Sequence, residues 1–322
     1  MALYRYQITP LSAFATPMRS DTLYGHLLWV AAQRHGEQRV SELIEAFAEE
    51  QPPFVLSSAL PSGRLPLPPL PGISRQAFKE QFARQGQLCE RLQDFKAFRK
   101  LSWWPLEQWL RLKNHLSQAA LFSEWLAGPK QTDKPSAETP EQIQDTQPHV
   151  VIARDSGSVL SQGGLFFSAA TWYRAGATLD LYVESERIEL FEELFHDLSL
   201  TGFGADRSTG KGHFSFRRDE RFDATPFGGS GSHRLSLSVC AAEALNEFEG
   251  YWAPFVKHGR AWSGFGEKNP FKKPFLAFAE GSLFSRMPQR GYVLRNIHSD
   301  PRIVQIGRPL TIPVTLEGHH AH

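Results

Sequence analysis

At 322 residues the chain is long enough for two domains and a good core, and 41% hydrophobic with 21% charged residues is the composition of an ordinary globular protein. A formal net charge of +1 excludes a chain that is basic throughout, so any nucleic-acid contact has to be a local patch. Cys89 and Cys240 are the only cysteines, too few for a disulfide framework or a zinc site. Met1 to Pro10 lacks the pattern of a signal peptide and no apolar run reaches the length of a membrane span, so a cytoplasmic protein is expected.

Ala2 to Thr9 alternates with Tyr4, Tyr6 and Ile8 on one face, and this period of two predicts a strand that Pro10 ends. After a loop from Leu11 to Arg19, Ser20 is placed to cap a helix whose stripe is Leu23, Leu27, Val30 and Ala31, with Asp21 suited to its positive end. Gly25 inside that helix costs roughly 1 kcal/mol relative to alanine, which predicts close packing there. An acidic helix is expected from Ser41 to Glu50, a strand from Phe54 to Leu60, and a proline-rich stretch from Pro61 to Pro71. Ser74 to Gly128 reads as a helical insertion broken at Trp103-Trp104-Pro105. Its Phe78, Phe82, Phe95, Phe98, Trp109 and Trp125 interleave with Arg75, Lys79, Arg84, Arg91, Lys96, Arg99 and Lys100. Such interleaving occurs in single-strand binders, but packed aromatics with solvated charges is the reading adopted for most of it. Residues 129–149 are polar and proline-bearing, and a mobile loop is expected.

Val150 to Ala153 resumes as a strand and turns through Arg154-Asp155-Ser156-Gly157, with Gly163 to Ser168 completing a hairpin. Thr178 to Val183 alternates as the next strand, the helix from Arg187 turns Leu190, Leu194, Phe195 and Leu198 inward, and Phe214 to Phe216 is a closing strand. The order β-α-β-β-α-β is that of a ferredoxin-like unit, here over residues 1–220. Residues 221–232 read as a flexible linker through Pro226 to Ser232. A smaller, β-rich unit is expected over 233–322, with strands at His233–Cys240, Pro274–Phe278, Gly281–Phe284, Val293–Asn296 and Leu310–Leu316. Within it Gly259 to Lys273 gathers Arg260, Trp262, Lys268, Lys272 and Lys273, and the His-rich end from Gly318 reads as a frayed tail. The fold class is α+β, two ferredoxin-like units of which the first carries the insertion.

Between the helix and the closing strand, Gly202, Gly204, Gly210 and Gly212 sit among Arg207, Ser208, Thr209 and Lys211. Glycine permits positive φ and close backbone approach, and free N–H groups in such a loop form an anion-binding concavity, which points to phosphate or a nucleic-acid backbone. A nucleotide P-loop is excluded. Five residues rather than four separate Gly204 from Gly210-Lys211, Gly212 stands where a magnesium-binding Ser or Thr belongs, and the loop follows a helix instead of a strand.

The spacing Gly-x-Gly-x-x-x-Ser-x-Gly-x-Gly resembles the glycine-rich loop of the RAMP proteins of CRISPR systems, which are built on ferredoxin-like (RRM-like) folds. Ser20 to Trp29, Ser-Asp-Thr-Leu-Tyr-Gly-His-Leu-Leu-Trp, resembles the first helix of the RAMP subunit that caps one end of the type III-A (Csm) complex. The segment from Pro52 is similar to that family's extended stretch, and the Arg154 turn with Gly163 to Ser168 is similar to the hairpin that RAMP backbone proteins project over the guide.

The resemblance implies a non-catalytic, cofactor-free subunit of a ribonucleoprotein that binds the repeat-derived five-prime tag of a crRNA. It implies contact with the large polymerase-like subunit and with a RAMP backbone subunit, with cleavage left to these neighbours. The RNA-binding residues expected are Gly202, Gly204, Arg207, Ser208, Thr209, Gly210, Lys211 and Gly212 on phosphates, Arg154 on the hairpin, and Arg19, Ser20 and His26 at the first helix. Arg260, Lys272 and Lys273 form a patch for RNA or protein. Some RAMP proteins cut the CRISPR transcript with a histidine near the first helix, and His26, with His213 beside the loop, is the alternative as an endoribonuclease. No paired second group, metal cluster or G-x-S-x-G elbow accompanies it. A type III-B equivalent, and a ferredoxin-like scaffold of another lineage, stay open at this point.

Overall fold

The computed structural model describes residues 1–83, 87–128, 142–159, 162, 164–261 and 269–317. The chain runs β1 (Ala2–Pro10), α1 (Ser20–Ala48), β2 (Phe54–Leu56), β3 (Leu60–Pro61), β4 (Arg64–Pro66), α2 (Arg75–Phe82), α3 (Leu88–Phe98), β5 (Trp103–Pro105), α4 (Leu106–Leu112) and α5 (Gln118–Ala127). It continues through β6 (Gln142–Val150), β7 (Leu165–Tyr173), β8 (Leu179–Ser185), α6 (Ile188–Thr201) and β9 (Phe214–Arg218). The remainder is β10 (His233–Ser236), β11 (Glu249–Tyr251), β12 (Pro254–Lys257), β13 (Phe275–Phe278), β14 (Leu283–Arg286), β15 (Val293–Leu294), β16 (Gln305–Ile306) and β17 (Thr311–Val314).

Alternation in β1 and β8 decides the first core. Tyr6, Ile8, Leu181 and Val183 point to one face of a sheet ordered β2-β8-β1-β9, whose neighbours are all antiparallel. The stripes of α1 and α6 cover that face with Leu23, Leu27, Val30, Phe191, Leu194 and Leu198, each fully buried side chain contributing about 1.5–3 kcal/mol. The two helices expected before residue 50 are one element broken at Gly36, whose φ of 82° and ψ of 174° are not helical. The acidic helix therefore starts before Ser41, because glycine supplies the break. Gly25 is exposed, with no atom within 4 Å of where a Cβ would stand, so the close packing expected there is not found. Ser20 makes no side-chain cap either. It is buried, and its Oγ accepts from the Val239 N–H at 2.9 Å.

The opposite face of this sheet builds a second core. Val55 and Tyr182 point into it, joined by Phe78, Phe98, Trp104, Trp109 and Phe122 of the insertion and by Leu235, Leu237, Leu283 and Ile312 from the second half. The expected break at Trp103-Trp104-Pro105 is β5, paired with β4. The second half holds a sheet ordered β11-β14-β10-β17, again antiparallel throughout. Numbered by appearance in the chain, both four-strand paths run second, third, first, fourth. No α-helix lies between the strands of the second sheet among the described residues.

The stretch read as a flexible linker is pinned. Phe227 is buried in the second core, the Lys113 ammonium donates to the Pro226 carbonyl at 2.5 Å, and a Cβ on Gly231 would fall 2.4 Å from the Val314 oxygen. A second tie runs along the outside. Arg302 pairs with Glu37, Arg295 with Glu45 and Arg290 with Glu50, and Arg308 donates to the carbonyls of Glu49 and Glu50. The expected loop over 129–149 needs correction as well. Residues 129–141 lie outside the described residues, but Gln142 to Val150 is strand β6, paired along its whole length with β7. The cross-strand partner overrides local polarity there, and the strand expected at Val150 to Ala153 shrinks to a single bridge between Ile152 and Val159.

Candidate nucleic-acid interface

The glycine loop is shaped by steric demand at its own glycines. Gly202 caps α6 at φ 81°, its N–H donating to the Leu198 carbonyl. Gly212, at φ 75°, lies so close to Phe203 that a Cβ would stand 1.9 Å from the Phe203 oxygen, and one on Gly204 would stand 2.8 Å from Thr16 Cβ. The Phe203 N–H donates to the Gly212 carbonyl at 2.9 Å and closes the loop.

The other glycine donors, with those of Ala205 and His213, are turned to the protein. Gly212 N–H reaches Ala13 O, Ala205 N–H reaches Thr16 Oγ1, His213 N–H reaches Ser12 Oγ, and Gly204 N–H reaches His26 Nε2 at 3.1 Å. Gly210 and Lys211 donate within the loop to Arg207 O and Asp206 O. These glycine N–H groups are therefore not the anion cradle expected from the sequence. They lace the loop to the segment that leads into α1, and His26 and Gly204 meet across 178 positions of sequence.

What the loop shows to solvent is its tip. Asp206 adopts φ 59° and opens a single turn of 3-10 helix over Arg207–Thr209, leaving Ser208, Thr209 and Gly210 exposed. Arg207 is half-buried with its guanidinium 4.1 Å from the Trp29 ring centroid, a cation–π seat that holds a flexible side chain in one place. Burial pushes its pKa down. The Lys211 ammonium lies 3.1 Å from an Asp206 oxygen and 3.4 Å from Ser168 Oγ, so it ties the loop to β7.

His26 packs on Phe203 with ring centroids 4.7 Å apart. Burial, aided by the charge of Arg207, pushes its pKa down to about 4. The imidazole is neutral at pH 7, and accepting from Gly204 at Nε2 assigns its proton to Nδ1. A ring so engaged is a strut under the loop.

Three other residues expected at the interface are engaged within the protein. Arg19 makes a two-pronged pair with Glu280 at 3.0 and 2.5 Å and covers the Phe255 ring, so its charge is spent inside the protein. Burial by itself raises the Glu280 pKa, but Arg19 and Ser58 hold it below the usual carboxylate range. Ser20 is buried as described. The Lys272 ammonium donates to Val304 O at 2.7 Å and Gln305 Oε1 at 3.0 Å, and burial pushes it down to about 8. Of the second-half patch only Arg260, 5.2 Å from the Phe271 ring centroid, and Lys273 are exposed. Trp262, Gly264, Phe265, Gly266 and Lys268, like Arg84, Gly163 and the His-rich tail, lie outside the described residues.

Arg154 is exposed at the far end of the β6–β7 hairpin, within the expected turn, where the Gly157 N–H donates to the Ala153 carbonyl. The sequence reading missed what the hairpin carries. Pro148 faces Phe167 and Val150 faces Leu165 on one side, while His149 faces Phe166 and Ile143 faces Trp172 on the other. Phe167 is 64% exposed and Ile143 62%, so both sides of a two-stranded ribbon present apolar groups. The Leu-Phe-Phe run was visible, but half of the ribbon read as loop. A bridge between Phe14 and Thr171 anchors its base beside the glycine loop. Among the described residues no group of three His, Cys, Asp or Glu side chains forms a metal site, and no helix is long and apolar enough to cross a membrane.

No family model and no curated protein matches the sequence. Solved structures do. A chain of the Csm1–Csm4 cassette in complex with pppApA is 19% identical with a TM-score of 0.57, covering 99% of this chain and 100% of that chain. The same cassette in complex with cA4 gives 20% identity and a TM-score of 0.58 over 98% and 99%. A chain of the Csm3–Csm4 subcomplex in the type III-A CRISPR-Cas interference complex gives 14% and 0.55 over 96% and 99%. Csm4 is the component these complexes have in common. The chain shares their fold over nearly its whole length, insertion and both sheets included.

Proposed function

We propose that this protein is the end-capping, Csm4-like subunit of a type III-A CRISPR effector complex, holding the five-prime tag of the crRNA and docking the large polymerase-like subunit and the first backbone subunit. The observation that carries the reading is the end-to-end likeness to chains of both the Csm1–Csm4 and the Csm3–Csm4 structures. The convergence of the Ser20–Trp29 helix and the Gly202–Phe214 loop on one hydrogen bond adds to it. Both halves are read as ferredoxin-like, a reading supported by their common strand order, with α1 and α6 as the crossovers of the first half.

In this reading the loop binds the tag by its exposed tip. Arg207, seated on Trp29, and Lys211, exchanging Asp206 for phosphate, supply charge, and the Ser208 hydroxyl supplies a donor, while the Thr209 hydroxyl donates to the Asp206 carbonyl at 2.8 Å and shapes the tip. The apolar hairpin stands beside the loop and offers Phe166, Phe167 and Trp172 to unstacked bases, the way single-stranded RNA is recognised. The subunit is read as non-catalytic, since His26 is neutral and its Nε2 is engaged by Gly204, and as a cofactor-free protein of the cytoplasm.

The test is electrophoresis of the nucleic acid that copurifies when the tagged subunit is coexpressed with its genomic neighbours and a CRISPR array. The expected result is RNA of discrete length beginning with repeat sequence. Arg207→Ala with Lys211→Ala is expected to reduce that RNA several-fold while the protein stays folded. Unchanged crRNA occupancy in the double variant removes the loop assignment, and a purification without RNA or a large subunit removes the reading itself. Accumulation of uncut precursor with His26→Ala would instead establish a nuclease.

A further inference from the structure

We infer that the α2–α3 face of the insertion is a second nucleic-acid surface, separate from the loop, that grips phosphates without reading bases. The interleaved aromatics and cations of this segment part company in the fold. Phe78 and Phe98 are buried, and Phe95 lies 5.1 Å from Phe78 and 5.0 Å from Phe122, ring centroid to ring centroid. The cations stay outside. Arg75 and Lys79 lie one turn apart on α2, Lys96 lies on α3 with the Arg99-Lys100 pair following it, and the two helices are joined through the Phe78–Phe95 contact.

All five are exposed, and among the described residues none has a carboxylate within 4.0 Å or a side-chain hydrogen bond. Of the acids on these helices, Asp94 pairs with Arg91 at 3.0 Å and Glu80 accepts from Gln76 at 2.9 Å, while Glu90 stands in the first turn of α3 and has none of the five within 4.0 Å. This differs from Arg290, Arg295 and Arg302, each of which faces a glutamate. A chain of net charge +1 thus concentrates five unmatched cations within 26 residues. Like charges so placed repel one another, and a polyanion relieves that repulsion.

The chemistry selects nucleic acid over an acidic protein. Protein interfaces centre on apolar or aromatic anchors, and the only large apolar side chain exposed on α2 and α3 among the described residues is Leu92. With every ring of these helices packed inward no base is stacked, so the contact is electrostatic and sequence-independent. The surface is also remote from the loop. The insertion packs on the second core with Val55 and Tyr182, whereas the loop's Phe203 belongs to the first core, across the sheet.

The experiment measures fluorescence anisotropy of labelled oligo(dT) and oligo(U) with the purified full-length chain between about 50 and 200 mM salt. Arg75→Gln, Lys79→Gln, Lys96→Gln, Arg99→Gln and Lys100→Gln are combined, and melting temperatures are compared. Each lost phosphate contact lowers the slope of log K against log salt by about 0.7 on a single strand, so the slope is expected to fall by up to about 3.5, equally for both strands. Lys79→Gln with Lys100→Gln gives a proportionally smaller fall and serves if the five-fold variant melts early. Arg207→Ala with Lys211→Ala is expected to keep the five-residue contribution, which separates this surface from the tag site. An unchanged slope overturns the inference. So does an equal fall in a control neutralising Arg39, Arg221, Arg286, Arg290 and Arg302, which makes it bulk charge. An unchanged slope with release of an acidic protein assigns the surface to that protein.

Discussion

At the scale of single residues, His26 shows what the loop asks of its support. The ring accepts from Gly204 only while neutral, and its pKa is pushed from 6.5 to about 4. A histidine depressed in the folded state binds its proton more readily when unfolded. Its contribution to stability is complete above pH 6.5 and is lost as the pH falls toward about 4. Urea titrations at pH 7 and pH 5 are expected to give a steeper loss of stability for the wild type than for His26→Gln, by about 1 kcal/mol after discounting for partial exposure. Equal losses would mean that the ring is not the strut described. The residue type and position were legible in the sequence. Its role was not, because Nε2 meets a donor 178 positions away.

At the scale of elements, the β6–β7 hairpin is the piece that is incomplete alone. A two-stranded ribbon is marginal in water, and this one carries exposed apolar groups on both sides, the kind of patch that marks an interaction surface. Phe166→Ser with Phe167→Ser is expected to change the stability of the free protein by no more than about 0.5 kcal/mol, while crRNA retention in the coexpressed complex falls several-fold. Calorimetry of the free chain and RNA recovery from the complex together check it. Normal recovery would exclude these rings from the RNA. The hairpin was half legible. Leu165 to Tyr173 pairs with residues whose polar local sequence reads as loop, and only the register reveals the second strand.

At the scale of the whole molecule, the two halves share a core. The second core takes Val55 and Tyr182 from the first sheet, the insertion's aromatics, Phe227 from the joining stretch, and Leu235, Leu283 and Ile312 from the second sheet. Phe227→Ala removes a buried ring at the meeting point and is expected to cost about 3 kcal/mol, lowering a single cooperative calorimetric transition. Two separated transitions in either protein would show that the halves unfold independently. The outer arginine–glutamate ties along α1 add little each, since solvent and salt screen exposed ion pairs.

By itself the sequence determined the elements with strong local signatures. The period of β1 and β8, the stripes of α1 and α6 and the glycine spacing of the loop all come from neighbours a few residues apart, and so does the resemblance that points to the RAMP subunits. The tertiary structure decided everything that depends on distant partners. Arg19 and Lys272 look like free cations until Glu280, Val304 and Gln305 are beside them. Glycines that look like a phosphate cradle give their N–H groups to Leu198, Ala13 and His26. The physical reason is the same in each case. A charge or a backbone donor has two possible partners, the solvent side or the protein side, and local sequence does not say which of them the fold brings within 3 Å.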